Sequence, residues 1–208
     1  MRGTIIAAES GKASVKITET SKVVEIDDTQ LTRSNLVNEV YSSDVSEATF
    51  LNEANLFETI RRRYNNFIIY TQCADTCVAV NPFKVLPVYA PYVVSAYASN
   101  KSEKLPPHIF NVANRAYEGL LRNRENQSIV LTGECGSGKT IINNKLLQYF
   151  ARLTAGPSES LETATIDETL LQSVPLLEAF GNAKMNRNEN SSRFGKLTRL
   201  HFNQGKVL

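Results

Sequence analysis

Cysteine is too scarce in this chain to serve as a framework: Cys73, Cys77 and Cys135 make neither an even disulfide set nor a metal-ligand cluster. The two histidines, His108 and His201, lie far from them in sequence and add no ligand pattern. A reduced, cytoplasmic compartment is the simplest reading. Long apolar runs are missing as well: nothing approaches the length of a membrane span, and the N-terminus lacks the apolar stretch of a signal peptide. Excess charge is the third absence. A net charge of +2 points to neither nucleic acid nor an anionic membrane as a partner. What remains, at 208 residues with 42% apolar and 21% charged side chains, is a soluble globular chain long enough to bury a core.

Against that ordinary background, Gly133-Glu134-Cys135-Gly136-Ser137-Gly138-Lys139-Thr140 stands out as G-x-x-x-x-G-K-T. The apolar run Ile129-Val130-Leu131 precedes it, and a helical pattern from Ile141 follows. Strand, glycine-rich loop and helix in that order are what a phosphate-binding loop requires. The glycines free backbone N–H groups to converge on phosphate oxygens, and the helix N-terminus adds its positive end. In such a loop Lys139 reaches the β- and γ-phosphates, and the Thr140 hydroxyl sits on Mg²⁺.

The rest of the chain reads as an α/β protein with a small β-rich start. Thr4–Ala8, Ser14–Thr18 and Val23–Ile26 read as strands, and polar residues 27–50 as a linker. Asn52 is placed to cap a helix to about Tyr64, with Leu56, Phe57 and Ile60 on its buried side. Phe67–Thr71 and Thr76–Val80 are expected strands, and Tyr92–Tyr97 and a segment from Pro107 expected helices. Ser128–Thr132 is the strand feeding the loop, with Ile142, Leu146, Tyr149, Phe150 and Leu153 striping the helix after it. Residues 154–165 read as a flexible surface loop, residues 166–180 as a helix kinked at Pro175, and residues 181–196 as polar and irregular. Leu197–Phe202 alternates as a strand, Asn203-Gln204-Gly205 turns, and Lys206-Val207-Leu208 begins another strand. A hairpin that stops after three residues leaves an open edge, so the sequence is expected to be the front part of something larger.

A second constellation lies in the polar stretch: Asn182, Asn188, Asn190, Ser191, Ser192 and Arg193. Amides and hydroxyls beside an arginine suit a segment that senses a γ-phosphate. Alone they equally suit an Asn/Ser surface turn. Paired with the phosphate loop, the functional reading is preferred. Asn190-Ser191-Ser192-Arg193-Phe194-Gly195-Lys196 resembles the switch I segment of myosin motor heads, and Phe194-Gly195 separates it from kinesins. Leu177–Lys184 is similar to the L-E-A-F-G-N-A-K just upstream in that family. Asn81-Pro82-Phe83-Lys84-Val85-Leu86-Pro87-Val88-Tyr89 resembles its adenine-contacting segment, and Pro107-His108-Ile109-Phe110 its P-H-I-F helix start.

The resemblance implies a P-loop motor core over residues 34–208, with a partial central sheet flanked by helices, preceded by part of a small β-barrel over residues 1–33. It implies ATP and Mg²⁺ as cofactors. Asn81, Pro82, Lys84 and Tyr89 would frame the adenine, with Gly133 through Thr140 and Asn182 around the nucleotide. Lys139, Asn188 and Ser191 would hold the γ-phosphate side, and Thr140 and Ser192 the metal. Arg193 would close the site through a salt bridge to a switch II glutamate. That switch, the actin-binding cleft and the light-chain sites lie outside these residues. The implied activity is ATP hydrolysis coupled to movement on actin in the cytoplasmic cytoskeleton; the alternative is a nucleotide-binding fragment without turnover. A P-loop small-molecule kinase would leave Asn190–Lys196 and Asn81–Tyr89 unexplained. The chain also departs from the family pattern: Cys135 stands where serine is usual, Ser137 for alanine and Met185 for threonine, and Ile141-Ile142-Asn143-Asn144 replaces x-N-T-K.

Overall fold

A computed structural model describes residues 2–35, 42–99, 105–154, 174–186, 188–203 and 206–207. The chain divides into two compact units, Met1–Asn66 and Phe67–Leu208.

In the first unit, β1 (Gly3–Glu9), β2 (Lys12–Ile17) and β3 (Val23–Asp27) form an antiparallel meander. The turn between the first two strands uses left-handed Ser10 and Gly11. Alternation along β2 buries Ala13 and Val15. Among the described residues the strands do not close into a barrel. Helix α1 (Glu53–Asn65) starts where Asn52 accepts the Asn55 N–H at 2.9 Å. Its buried face differs from the expected one. Asn55, Thr59 and Arg63 are inside, while Phe57 is 66% exposed. The reason is that this helix packs on backbone rather than on an apolar layer. The Asn55 amide donates to the Arg33 and Phe50 carbonyls and accepts the Asn35 N–H, and Arg63 donates to the Ser42 carbonyl. Asn35, buried in turn, bonds both the N–H and the C=O of Phe50. The expected linker is therefore pinned at Asn35 and at buried Val45.

The second unit is built around one aromatic core. β4 (Tyr70–Cys73) pairs antiparallel with β5 (Thr76–Ala79). Helices α2 (Pro91–Ser99), α3 (Ile109–Asn123) and α4 (Lys139–Thr154) enclose Tyr97, Phe110, Ala113, Leu146, Tyr149 and Phe150. Phe110 stacks on Tyr149 with centroids 4.2 Å apart and planes at 9°. α3 begins two residues later than Pro107, because His108 is its cap: Nδ1 accepts the Phe110 N–H at 3.1 Å. Residues 174–181 are helical and lead into β6 (Asn182–Met185), which pairs with β7 (Asn188–Ser192). A hairpin thus occupies the stretch expected to be irregular. β8 (Phe202–Asn203) and β9 (Lys206–Val207) form the last pair. Ser128–Thr132 and residues 197–201, expected as strands, carry no ladder among the described residues, and Val130 and Leu197 are 83% and 86% exposed. An extended apolar segment becomes a strand only by pairing, so its pattern alone did not suffice. The surface loop expected over residues 154–165 starts one residue late, since Thr154 ends α4, and its remainder, with residues 166–173 of the expected kinked helix, lies outside the described residues. No helix among those described is long and apolar enough to cross a membrane.

Candidate functional site

The loop over residues 133–138 runs into the first turn of α4, which opens at Lys139. Gly136 and Gly138 have φ of +83° and +96°, a region that side chains strain to enter. Gly133 has φ +148°, which a side chain would strain to adopt, and a Cβ there would also push the Ser137 hydroxyl, 2.9 Å away, from its place. Ser137 N–H bonds the Glu134 carbonyl at 3.2 Å, closing the turn. The Lys139 ammonium folds over the loop and donates to the Gly133 and Glu134 carbonyls, each at 2.7 Å. Thr140 follows on the same turn, partly buried.

Two distant segments meet this loop. On one side, Asn81 Nδ2 donates to the Gly136 carbonyl at 2.7 Å, while its Oδ1 accepts the Phe83 N–H at 2.9 Å. Beside that contact is a cavity of about 230 Å³, lined by Asn81, Pro82, Lys84, Tyr89, Gly138 and Ile142 among others. The Tyr89 hydroxyl is hydrogen-bonded to that of Tyr70. Burial pushes both phenols up, Tyr70 far above the usual range. The Lys84 ammonium lies 3.2 Å from the Phe67 ring centroid. His108 backs this wall: Nε2–H donates to the Val88 carbonyl at 3.1 Å, and burial lowers its pKa to about 4.

On the other side, the β6–β7 hairpin brings Ser191, Asn188 and Met185 to Cys135. The Cys135 thiol and the buried Ser191 hydroxyl are 2.9 Å apart; Asn188 Nδ2 donates to the sulfur at 3.6 Å, and Met185 Sδ lies at 3.9 Å. Hydrogen bonds from Ser191 and Asn188, then the charges of Arg193 and Lys139, lower the Cys135 pKa. Arg193 Nη1 is 2.9 Å from Met185 Sδ, and its N–H closes onto the Gly181 carbonyl at 2.9 Å. A Cβ on Gly181 would meet the Phe194 ring at 2.2 Å, so any side chain there would have to displace that ring. Asn182 donates to Asn190 Oδ1 at 2.8 Å, and Asn190 donates to Glu178 at 3.1 Å. Ser192 is exposed at the end of β7.

Sequence-distant Asn81, Cys135, Lys139, Asn188 and Ser191 therefore come together, with Pro82, Lys84 and Tyr89 on the cavity wall and Arg193 at the hairpin's rim. Sequence reasoning missed Tyr70, Met185 and Glu178 as members. Tyr70 carried no signal beyond an apolar strand, whereas Glu178 lies inside a quoted motif. On α1, Arg61 and Arg62 hydrogen-bond Glu58 and lower its pKa to about 2. Cys77 is half-buried, its thiol pushed up to about 11 by desolvation.

The glycine loop, the lysine and the neighbouring cavity suit a molecule with a polyphosphate and a flat apolar end. Compared with known families, residues 42–208 match that of the myosin head (motor domain).

Proposed function

The chain belongs to the myosin motor-head family, and from that premise we propose that it forms the ATP-binding part of a motor that couples Mg-ATP hydrolysis to movement on actin. The family fold is a P-loop motor fold, and its members bind ATP, Mg²⁺ and actin. In this reading residues 34–208 belong to the motor core and residues 1–33 to a small β-barrel ahead of it, in a cytoplasmic, cytoskeletal setting.

One observation carries the proposal: residues 133–139 are hydrogen-bonded to Asn81 on one side and to Asn188 and Ser191 on the other. Asn81, Pro82, Lys84 and Tyr89 would frame the adenine. Gly133 to Gly138 would wrap the phosphates with backbone N–H groups, and Asn182 would support the hairpin that faces them. Lys139, Asn188 and Ser191 would hold the γ-phosphate side and orient an attacking water, and Arg193 would clamp the closed hairpin. Thr140 and Ser192 offer neutral hydroxyl oxygens, a donor set that fits a hard cation arriving with phosphate ligands and keeping several waters. When bound, Mg²⁺ supplies charge neutralisation at the phosphate oxygens.

The test is equilibrium binding of MgATP, then single-turnover hydrolysis. Lys139→Ala is expected to weaken binding about tenfold or more, because charge-assisted bonds are lost. A folded chain that fails to bind millimolar MgATP would overturn the reading. A second reading, binding without turnover, is favoured by Arg193, whose guanidinium rests on the Met185 sulfur and, among the described residues, on no carboxylate. Sustained multiple turnover would exclude it.

A further inference from the structure

We infer that Asn81 is a positioning residue that holds the phosphate loop in shape, and that it does not read the base. This rests on the nucleotide-site reading above and assigns one of its residues a different task. The Asn81 carboxamide is engaged at both ends, Oδ1 on the Phe83 N–H at 2.9 Å and Nδ2 on the Gly136 carbonyl at 2.7 Å. The amide orientation follows from chemistry, since only its oxygen can accept from an N–H and only its nitrogen can donate to a carbonyl. The first bond closes an Asx turn in which Phe83 takes φ +50°. Turning the amide toward a base would break that turn and release Gly136 together.

The Gly136–Ser137 peptide is consequently held along both edges. Its carbonyl meets Asn81, and its N–H meets the Glu134 carbonyl at 3.2 Å. With φ of +83°, Gly136 has wide freedom of its own, so this peptide is where the loop would otherwise lose its shape. Holding it lowers the ordering cost when phosphate oxygens arrive, which is preorganisation of the anion site from the base side. Two other polar heads on the cavity wall are engaged, Tyr89 with Tyr70 and Lys84 over the Phe67 ring, whereas the buried Ser137 hydroxyl has no hydrogen-bond partner among the described residues.

The experiment separates the two halves of the ligand. Magnesium tripolyphosphate and adenosine are titrated separately against the full chain and its Asn81→Ala variant, with folding checked by circular dichroism. Tripolyphosphate affinity should fall about three- to tenfold, the scale of one net hydrogen bond, while adenosine affinity stays within about twofold. Asn81→Ser keeps a hydroxyl oxygen that can accept the Phe83 N–H but is too short to donate to the Gly136 carbonyl as well, so it should give the same split if the alanine variant does not fold. Loss of adenosine affinity with tripolyphosphate unchanged would overturn the inference and make Asn81 a base contact. Unchanged affinity for both ligands would overturn it too. A folded wild-type chain that binds neither tripolyphosphate nor MgATP would bring down the site reading itself, and the inference with it.

Discussion

Cys135 is exposed, yet its sulfur is drawn toward the thiolate by Ser191, Asn188, Arg193 and Lys139. Iodoacetamide should therefore modify Cys135 before Cys77, whose thiol burial pushes up to about 11, and MgATP should slow the reaction. Peptide mapping of the labelled chain checks both orders; equal Cys135 labelling with and without MgATP would count against the site. His108 makes a separate prediction. Its Nδ1 must stay unprotonated to accept the Phe110 N–H, and the folded pKa of about 4 lies below the usual value of 6.5. The folded state thus binds fewer protons than the unfolded chain across that interval. His108 contributes stability fully above pH 6.5, and loses it as pH falls toward 4. Urea midpoints should drop over that window, and His108→Asn, which keeps a capping side chain, should flatten the drop.

At the scale of elements, the second unit depends on the contact between α3 and α4. Removing the stacked ring by Phe110→Ala should destabilise by about 3–5 kcal/mol, measured by denaturant unfolding, because Phe110 is 1% exposed, stacks on Tyr149, and a packed core relaxes only partly around a lost ring. These two helices were legible in the sequence because their signals are local: apolar spacing from Ile109 to Leu120 and from Ile142 to Leu153. The Asn52 cap was legible for the same reason. The inner face of α1 was not, since apolar periodicity points to Leu56 and Ile60, whereas backbone carbonyls of Arg33 and Phe50 draw in Asn55. The β6–β7 hairpin was hidden by its polar composition. Side-chain amides and the Cys135–Ser191 contact, rather than an apolar face, accompany its ladder. In the candidate site the motifs named nearly every member, but motifs carry no distances. Asn81 was read as an adenine neighbour, and only the Gly136 contact exposes its grip on the loop.

At the scale of the molecule, the site is assembled from parts that are far apart along the chain. Asn81 and Gly136 are 55 residues apart, and Cys135 and Ser191 are 56 apart. Each contact closes a long loop, whose entropy must be met before the contact returns anything. Helices form from neighbours and need no such closure. During refolding, far-ultraviolet circular dichroism should accordingly recover before MgATP binding does. Simultaneous recovery of both signals would contradict this order. Nucleotide affinity would then be a late marker of folding, reporting the arrival of two remote segments at one loop, and a chain that looks helical would still be unfinished until that affinity appears.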